Sequence, residues 1–266
     1  MNPSILFENT ELVAIDKPPG IAVHDAPGPG QSLLKNLKTQ LGTSELFPVH
    51  RLDKDASGVL LFARMKEVAR ELERVWSERE NPEKIVLKTY WAICLGVPEK
   101  SEGVIDAPIL ENQTGKPERL ERALNYFKKM NPEKTLPPLP TPKTSAVHPA
   151  GRSSQTHYKV LEVSKDKKIS WLEVRPEQGR MHQIRVHLAQ LGHPLLVDQL
   201  YGKQNSPQSN ELFSEKKISL NRMPLHAYRL EIPNPGYLLG KVSQPRRIHF
   251  EAPMPSDMAG VLNCFR

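Results

Sequence analysis

The densest run of chemically capable side chains in this 266-residue sequence is His50-Arg51-Leu52-Asp53-Lys54-Asp55-Ala56-Ser57-Gly58. It stands directly before Gly58-Val59-Leu60-Leu61-Phe62-Ala63, which reads as a strand buried on both faces. A carboxylate at such a strand end can serve as nucleophile or base, and a neighbouring arginine favours its ionised form. On these nine residues alone, a surface turn whose Asp and Ser bond to local backbone is the better reading.

A second cluster runs from Gln178 through Gly179-Arg180-Met181-His182-Gln183-Ile184-Arg185-Val186-His187-Leu188 to Gly192-His193-Pro194 and Asp198. Its histidines raise the question of a metal. His182 and His187 are five apart, however, about 140° around a helix and on opposite faces of a strand, so one regular element cannot aim both at one ion. Arginines at this density suit phosphate or carboxylate pairing, because the guanidinium stays charged and presents a planar fork. Structural ion pairs would use the same residues. Tyr90, within Lys88-Thr89-Tyr90-Trp91-Ala92, adds an aromatic hydroxyl on an expected strand, where most tyrosines are half-buried core residues. Gly28-Pro29-Gly30 lacks the lysine and spacing of a phosphate loop and reads as a turn.

The elements that must carry these groups alternate strands and helices. Ile5 to Phe7, Glu11 to Asp16 and Ile21 to Val23 read as short strands, with a Lys17-Pro18-Pro19-Gly20 turn before the third. Ser32 is placed to cap a helix through Leu41, and Lys66 to Glu78 carries Val68, Leu72, Val75 and Trp76 on one helical face. Strands are expected at Lys88 to Leu95, Thr156 to Val163, Ile169 to Arg175, Leu225 to Ile232 and Arg247 to Glu251, and a helix at Arg180 to Leu191. Between about Glu111 and Ala150 the apolar pattern breaks down and ends in Leu136-Pro137-Pro138-Leu139-Pro140-Thr141-Pro142, which favours extended structure. This stretch reads as an insertion at about 112–150 in a single α+β domain.

Composition narrows the function classes. Two cysteines, Cys94 and Cys264, exclude a disulfide framework and a paired-cysteine zinc site, and fit a reducing, cytoplasmic setting. The longest apolar run is Tyr90 to Leu95, against the ~20 residues that a membrane-spanning helix needs. The net charge of +7 is concentrated: residues 112–168 hold twelve Lys/Arg against five Asp/Glu, which accounts for the whole surplus. A polyanion contact and a merely solvated segment explain that count equally well.

In order, the blocks resemble the RluA family of RNA pseudouridine synthases. Leu12 to Gly20 with Ile21-Ala22-Val23-His24 looks like the family's opening strand and turn, and His50-Arg51-Leu52-Asp53 with Ser57 to Ala63 like its catalytic motif. Lys88-Thr89-Tyr90 is similar to the tyrosine motif, Gly179 to Leu188 with Asp198 through Tyr201-Gly202 to the basic motif, and Leu225-His226-Ala227 precedes the closing strands. The resemblance implies a mixed, mostly antiparallel sheet with flanking helices and a catalytic cleft. It implies isomerisation of uridine to pseudouridine in an rRNA or tRNA stem-loop, with no cofactor and no metal. Asp53 would be the nucleophile, Tyr90 would lie on the uracil, and Arg185 would keep Asp53 charged. RNA contacts would come from Arg51, which can fill the space of a flipped base, and from His50, Arg180, His182 and Gln183. His50 also reads as support for the loop. Glu177-Gln178, Met181 and Val197 depart from the family pattern, Val197 replacing a usual glycine. The few residues before the opening strand imply no S4-type RNA-binding domain, and a monomer is the default. The rival classes are a non-catalytic RNA-binding protein on the same scaffold and a zinc-dependent base deaminase, for which the closely spaced cysteines are missing.

Overall fold

A computed structural model of the chain describes residues 2–23, 32–76, 78, 81–113, 116–202, 220–263 and 265. In chain order its strands and helices begin β1 (Ser4–Glu8), β2 (Leu12–Lys17), α1 (Leu33–Leu41), β3 (Phe47–Pro48), β4 (Ser57–Ala63), α2 (Lys66–Val75) and β5 (Leu87–Leu95). Next come β6 (Glu102–Asp106), β7 (Ile109–Glu111), α3 (Pro117–Met130), β8 (Ser145–Val147), β9 (Gln155–Val163), β10 (Ile169–Pro176) and α4 (Gln183–Gln190). The chain closes with β11 (Leu225–Pro233), α5 (Pro235–Leu238), β12 (Arg247–Glu251) and α6 (Ser256–Leu262). No helix among the described residues is long and apolar enough to cross a membrane. The architecture is α+β with a mixed, mostly antiparallel sheet, as expected.

The chain forms two compact units, the first comprising the residues up to Trp91 with Leu225–Ser256 and the second Ala92–Pro224 with the residues from Asp257 on. In the first, β1-β2-β4-β11 lie in that order, with β3 on β4 and β12 on β11. All seven residues of β4 are buried, because β2 and β3 pair with it antiparallel, β11 joins it parallel, and apolar clusters cover it. The parallel register sets His226 opposite Ser57 and Ala227 opposite Gly58. Gly58 is required there: at φ 107° it approaches the neighbour so closely that a Cβ would lie 2.3 Å from the Ala227 carbonyl oxygen. Helix α2 turns Val68, Leu72 and Val75 of the expected stripe into the core, together with Ala69, and ends at Val75, with Trp76 partly buried against the same cluster.

Ile21 to Val23 is not a strand. The Ala22 and Val23 carbonyls instead accept the amides of Leu33 and Leu34, at 3.1 and 3.3 Å, satisfying donors that open the next helix. Ser32 caps that helix by accepting from the Lys35 amide at 3.2 Å. His24, Gly28-Pro29-Gly30 and Cys264 lie outside the described residues.

In the second unit β10-β9-β6 are antiparallel neighbours and β7 pairs with β8. The stretch expected to lack regular structure holds α3, fourteen residues with Pro117 in the first turn and no buried residue. Its residues, rich in Glu, Arg, Leu, Ala and Lys, are strong helix formers, so propensity carries it where burial does not. Helix α4 begins at Gln183 rather than Arg180, because His182 adopts a left-handed φ of 58° and breaks the regular backbone.

Candidate active site

The loop bearing Asp53 is fixed from beneath by a lysine. Lys17 is fully buried at the end of β2, and its ammonium donates to the carbonyls of Pro18 (2.9 Å), Lys54 (2.9 Å) and Ala56 (2.7 Å). The Gly20 amide donates to the same Lys54 carbonyl at 2.8 Å, and the Ala56 amide closes onto the Asp53 carbonyl at 3.2 Å. A charge taken out of water is tolerated only when its donors are satisfied, so this clamp has few other geometries available. Above it Asp53 is half-buried, while Arg51, Lys54 and Asp55 are exposed. Sequence reading took Lys17 as part of a turn. The available signal was a lysine in register with core-facing residues of a buried strand.

His50 faces inward. Its Nε2 accepts the Leu61 amide at 3.0 Å, and its ring stacks on Trp76 with centroids 4.7 Å apart. Burial first, then the charge of Lys88, pushes its pKa from 6.5 to about 3. The role visible in these contacts is support of the loop. An unfolded chain takes up the His50 proton below 6.5 and the folded one only near 3, so stability must fall as pH drops through that window. His50→Gln should shallow this acid slope in urea unfolding; an unchanged slope would assign it to the other histidines.

Tyr90 sits on β5, half-buried against the cluster that contains Leu52, Leu60 and Phe62. Burial, and after it the negative charge of Asp53, hold its phenol well above the ordinary 10, so it is an O–H donor at any working pH. The structure thus brings Asp53 and Tyr90 within electrostatic reach. On the other face of the strand Trp91 stacks on Tyr228, with centroids 4.1 Å apart, and on His226. His226, fully buried, meets Ser57 through Nδ1 at 2.9 Å and the Ala252 carbonyl through Nε2 at 3.4 Å. Since a carbonyl only accepts, Nε2 carries the hydrogen and the Ser57 hydroxyl donates to Nδ1. This pair pins the start of β4.

In the second unit Arg185 makes a bidentate pair with Asp198, Nε to Oδ2 and Nη2 to Oδ1, both 2.8 Å, and its guanidinium lies 5.0 Å from the centre of the Tyr201 ring. Burial works to raise the Asp198 carboxyl, but the bonds and charge of Arg185 and the amides of Leu200 and Tyr201 outweigh it and hold it below its usual range. Asp198, which the basic motif had contributed only as a matching letter, is a carboxylate that grips one edge of the Arg185 fork.

The loop before α4 is held through its backbone. The Met181 amide donates to Glu111 Oε1 and the Met181 carbonyl accepts from Ser145 Oγ, each at 2.8 Å. That explains why the departure at Met181 is tolerated. The Tyr201 hydroxyl accepts the Ser145 amide at 2.8 Å and meets His182 Nδ1 at 2.7 Å. Gln183 is buried, accepting from the Arg180 amide and donating to the Gln155 carbonyl and Thr156 Oγ1. His187 is buried between Thr156 Oγ1 and the Ala107 carbonyl. Arg180 reaches the Ser153 carbonyl at 3.3 Å. Among the described residues no group of three or more His, Cys, Asp or Glu is arranged to hold a metal.

Val197, where the family resemblance leads to the expectation of a glycine, has a φ of 56°. A β-branched residue there is strained by roughly 1–2 kcal/mol. Val197→Gly is therefore expected to raise stability by about 1 kcal/mol after the entropy lost by glycine, read as the urea midpoint. A lower midpoint would show that the valine side chain contributes more by packing than its backbone costs.

The sequence pattern of the family described as RNA pseudouridylate synthase matches residues 11–190. Ribosomal large subunit pseudouridine synthase D of Nitrosomonas europaea is 35% identical over 98% of this chain, which spans 65% of that relative's length. An uncharacterized RNA pseudouridine synthase of Zymomonas mobilis is 34% identical, with 94% of this chain and 93% of that one covered. Among solved structures, human RNA pseudouridylate synthase domain containing 4 superposes with a TM-score of 0.69 at 26% identity, covering 99% of this chain and 93% of the other.

Proposed function

This chain belongs to the RNA pseudouridylate synthase family, and on that premise we propose that it isomerises specific uridines of structured RNA to pseudouridine with Asp53 as nucleophile. The N1–C1′ bond breaks, the uracil turns, C5 bonds to C1′, the C5 proton leaves and N1 takes up a proton from solvent. The observation that carries this reading is a carboxylate on a loop held by the Lys17 ammonium, whose charge is felt by the half-buried Tyr90. Asp53 attacks the nucleotide, Tyr90 stacks on the uracil, and its hydroxyl relays the departing proton to solvent. No step requires a cofactor or a metal. Arg185, fixed by Asp198, is the guanidinium assigned to keep the nucleophile ionised.

A uridine inside a stem must leave its stack first, at a cost of a few kcal/mol. Exposed Arg51, flat and cationic, fills the vacated space. Arg51→Ala should therefore slow turnover on a structured stem-loop more than on a short flexible RNA, and equal losses would remove the flipping role. Arg180 and His182 contribute RNA contacts from the basic motif, while His50 and Gln183 act through the backbone they hold. Among candidate substrates rRNA stands ahead of tRNA, because relatives such as the Nitrosomonas europaea and Haemophilus influenzae proteins are named ribosomal large subunit pseudouridine synthase D. A cytoplasmic monomer completes the reading. It is tested by mapping pseudouridine in RNA from cells lacking the gene, before and after incubation with the purified protein. Sites that vanish with the gene and return with the protein support it; an unchanged map overturns it.

A further inference from the structure

Helix α3 and the segment Pro149 to Arg152 enclose a cleft of about 570 Å3, within the size range of sites for small molecules and single nucleotides. One wall is rigid. The Ile109 and Arg152 backbones exchange two hydrogen bonds at 2.9 Å, and Gly151 packs so closely that a Cβ would lie 2.3 Å from the Ile109 carbonyl carbon. The other wall is a helix that no core covers. Arg119, Arg122 and Tyr126 stand three and four positions apart on one face of it, and Tyr126 is 69% exposed. Among the described residues no hydrogen bond or ion pair engages the guanidinium of Arg119 or Arg122. A lone helix of this length is marginal in water, so a bound partner adds to its stability.

We propose that this cleft is a second RNA site, remote in sequence from the reaction loop, which takes an unpaired nucleotide flanking the modified stem-loop. Its phosphate meets Arg119 and Arg122, and its base stacks on Tyr126 above the apolar floor. The polyanion is favoured over a protein partner because residues 112–168 carry the chain's whole surplus of positive charge. The cleft is wired to the basic motif: Glu111, in its wall, binds Arg152 with one carboxylate oxygen and the Met181 amide with the other, next to His182. The choice of RNA rests on the proposed function, so the test reads binding rather than turnover.

The probes are a stem-loop RNA with an unpaired 3′ flank and the same stem-loop blunt-ended, titrated with the full-length protein over a range of salt. Wild type should bind the flanked RNA more tightly. Arg119→Ala/Arg122→Ala should weaken flanked binding about tenfold and shallow the slope of log affinity against log salt by about 0.7, one single-strand phosphate contact. Tyr126→Ala should cost about tenfold and Tyr126→Phe almost nothing, since the ring stacks and the hydroxyl does not. Blunt binding and kcat at saturating RNA should stay at wild-type levels. Equal affinity of wild type for both RNAs, or flanked binding that the variants leave intact, overturns the proposal and gives the cleft to a protein partner. Failure of the pseudouridine map with these binding differences intact would sink the isomerase reading instead.

Discussion

Asp53→Asn is expected to lower pseudouridine formation by at least about 10⁴-fold, the loss typical of deleting a nucleophile whose partners remain in place. The amide keeps the shape of the carboxylate, and the bonds from the Lys17 ammonium to the Pro18, Lys54 and Ala56 carbonyls are left in place. The variant should therefore fold and melt like wild type. RNA affinity should hold or rise, because a negative charge facing a polyanion has been removed. Filter binding and nucleoside analysis on the same preparations separate the two effects. Turnover within tenfold of wild type would remove Asp53 from the reaction, and a parallel loss of affinity would make it a binding residue.

Lys17→Met carries the second largest effect. The substitution preserves length and apolar stem but leaves the Pro18, Lys54 and Ala56 carbonyls without their ammonium. The buried Ala56 carbonyl stripped of its donor costs about 1–3 kcal/mol and the part-buried Pro18 carbonyl less, while Lys54 keeps the Gly20 amide, so a loss of roughly 2–4 kcal/mol is expected. The chemistry should suffer separately. Below the lowered melting temperature kcat should drop by one to two orders of magnitude, about the cost of a misplaced nucleophile, while KM stays near wild type. Urea unfolding and steady-state kinetics check the two parts. A variant that loses stability but keeps kcat would make Lys17 a fold residue alone.

These two residues illustrate what was legible in the chain. Asp53 could be singled out because a motif of a known family surrounds it; spacing alone described a turn just as well. Lys17 was passed over because its role depends on carbonyls 37 and 39 residues away, contacts that no local pattern records. The strands came through where burial is periodic or complete, as in β4 and β11, and the Ser32 cap came through because its chemistry is local. Ile21 to Val23 misled because an apolar triplet specifies burial and not a ladder partner. Helix α3 was missed for the opposite reason: with no buried face it shows no apolar stripe, and only propensity betrays it. Arg185 was identified as an ion-pair residue, but its grip on Asp198 depends on the positive φ at Val197 that turns the chain before that carboxylate.

The central claim is that uridine is rearranged within the RNA rather than cut from it. Its most direct test follows uridine tritiated at C5 through incubation with the wild-type protein. Rearrangement predicts one tritium released to water for every pseudouridine formed, with all uracil still in the polymer. Free uracil in solution, or pseudouridine formed without tritium release, would contradict it.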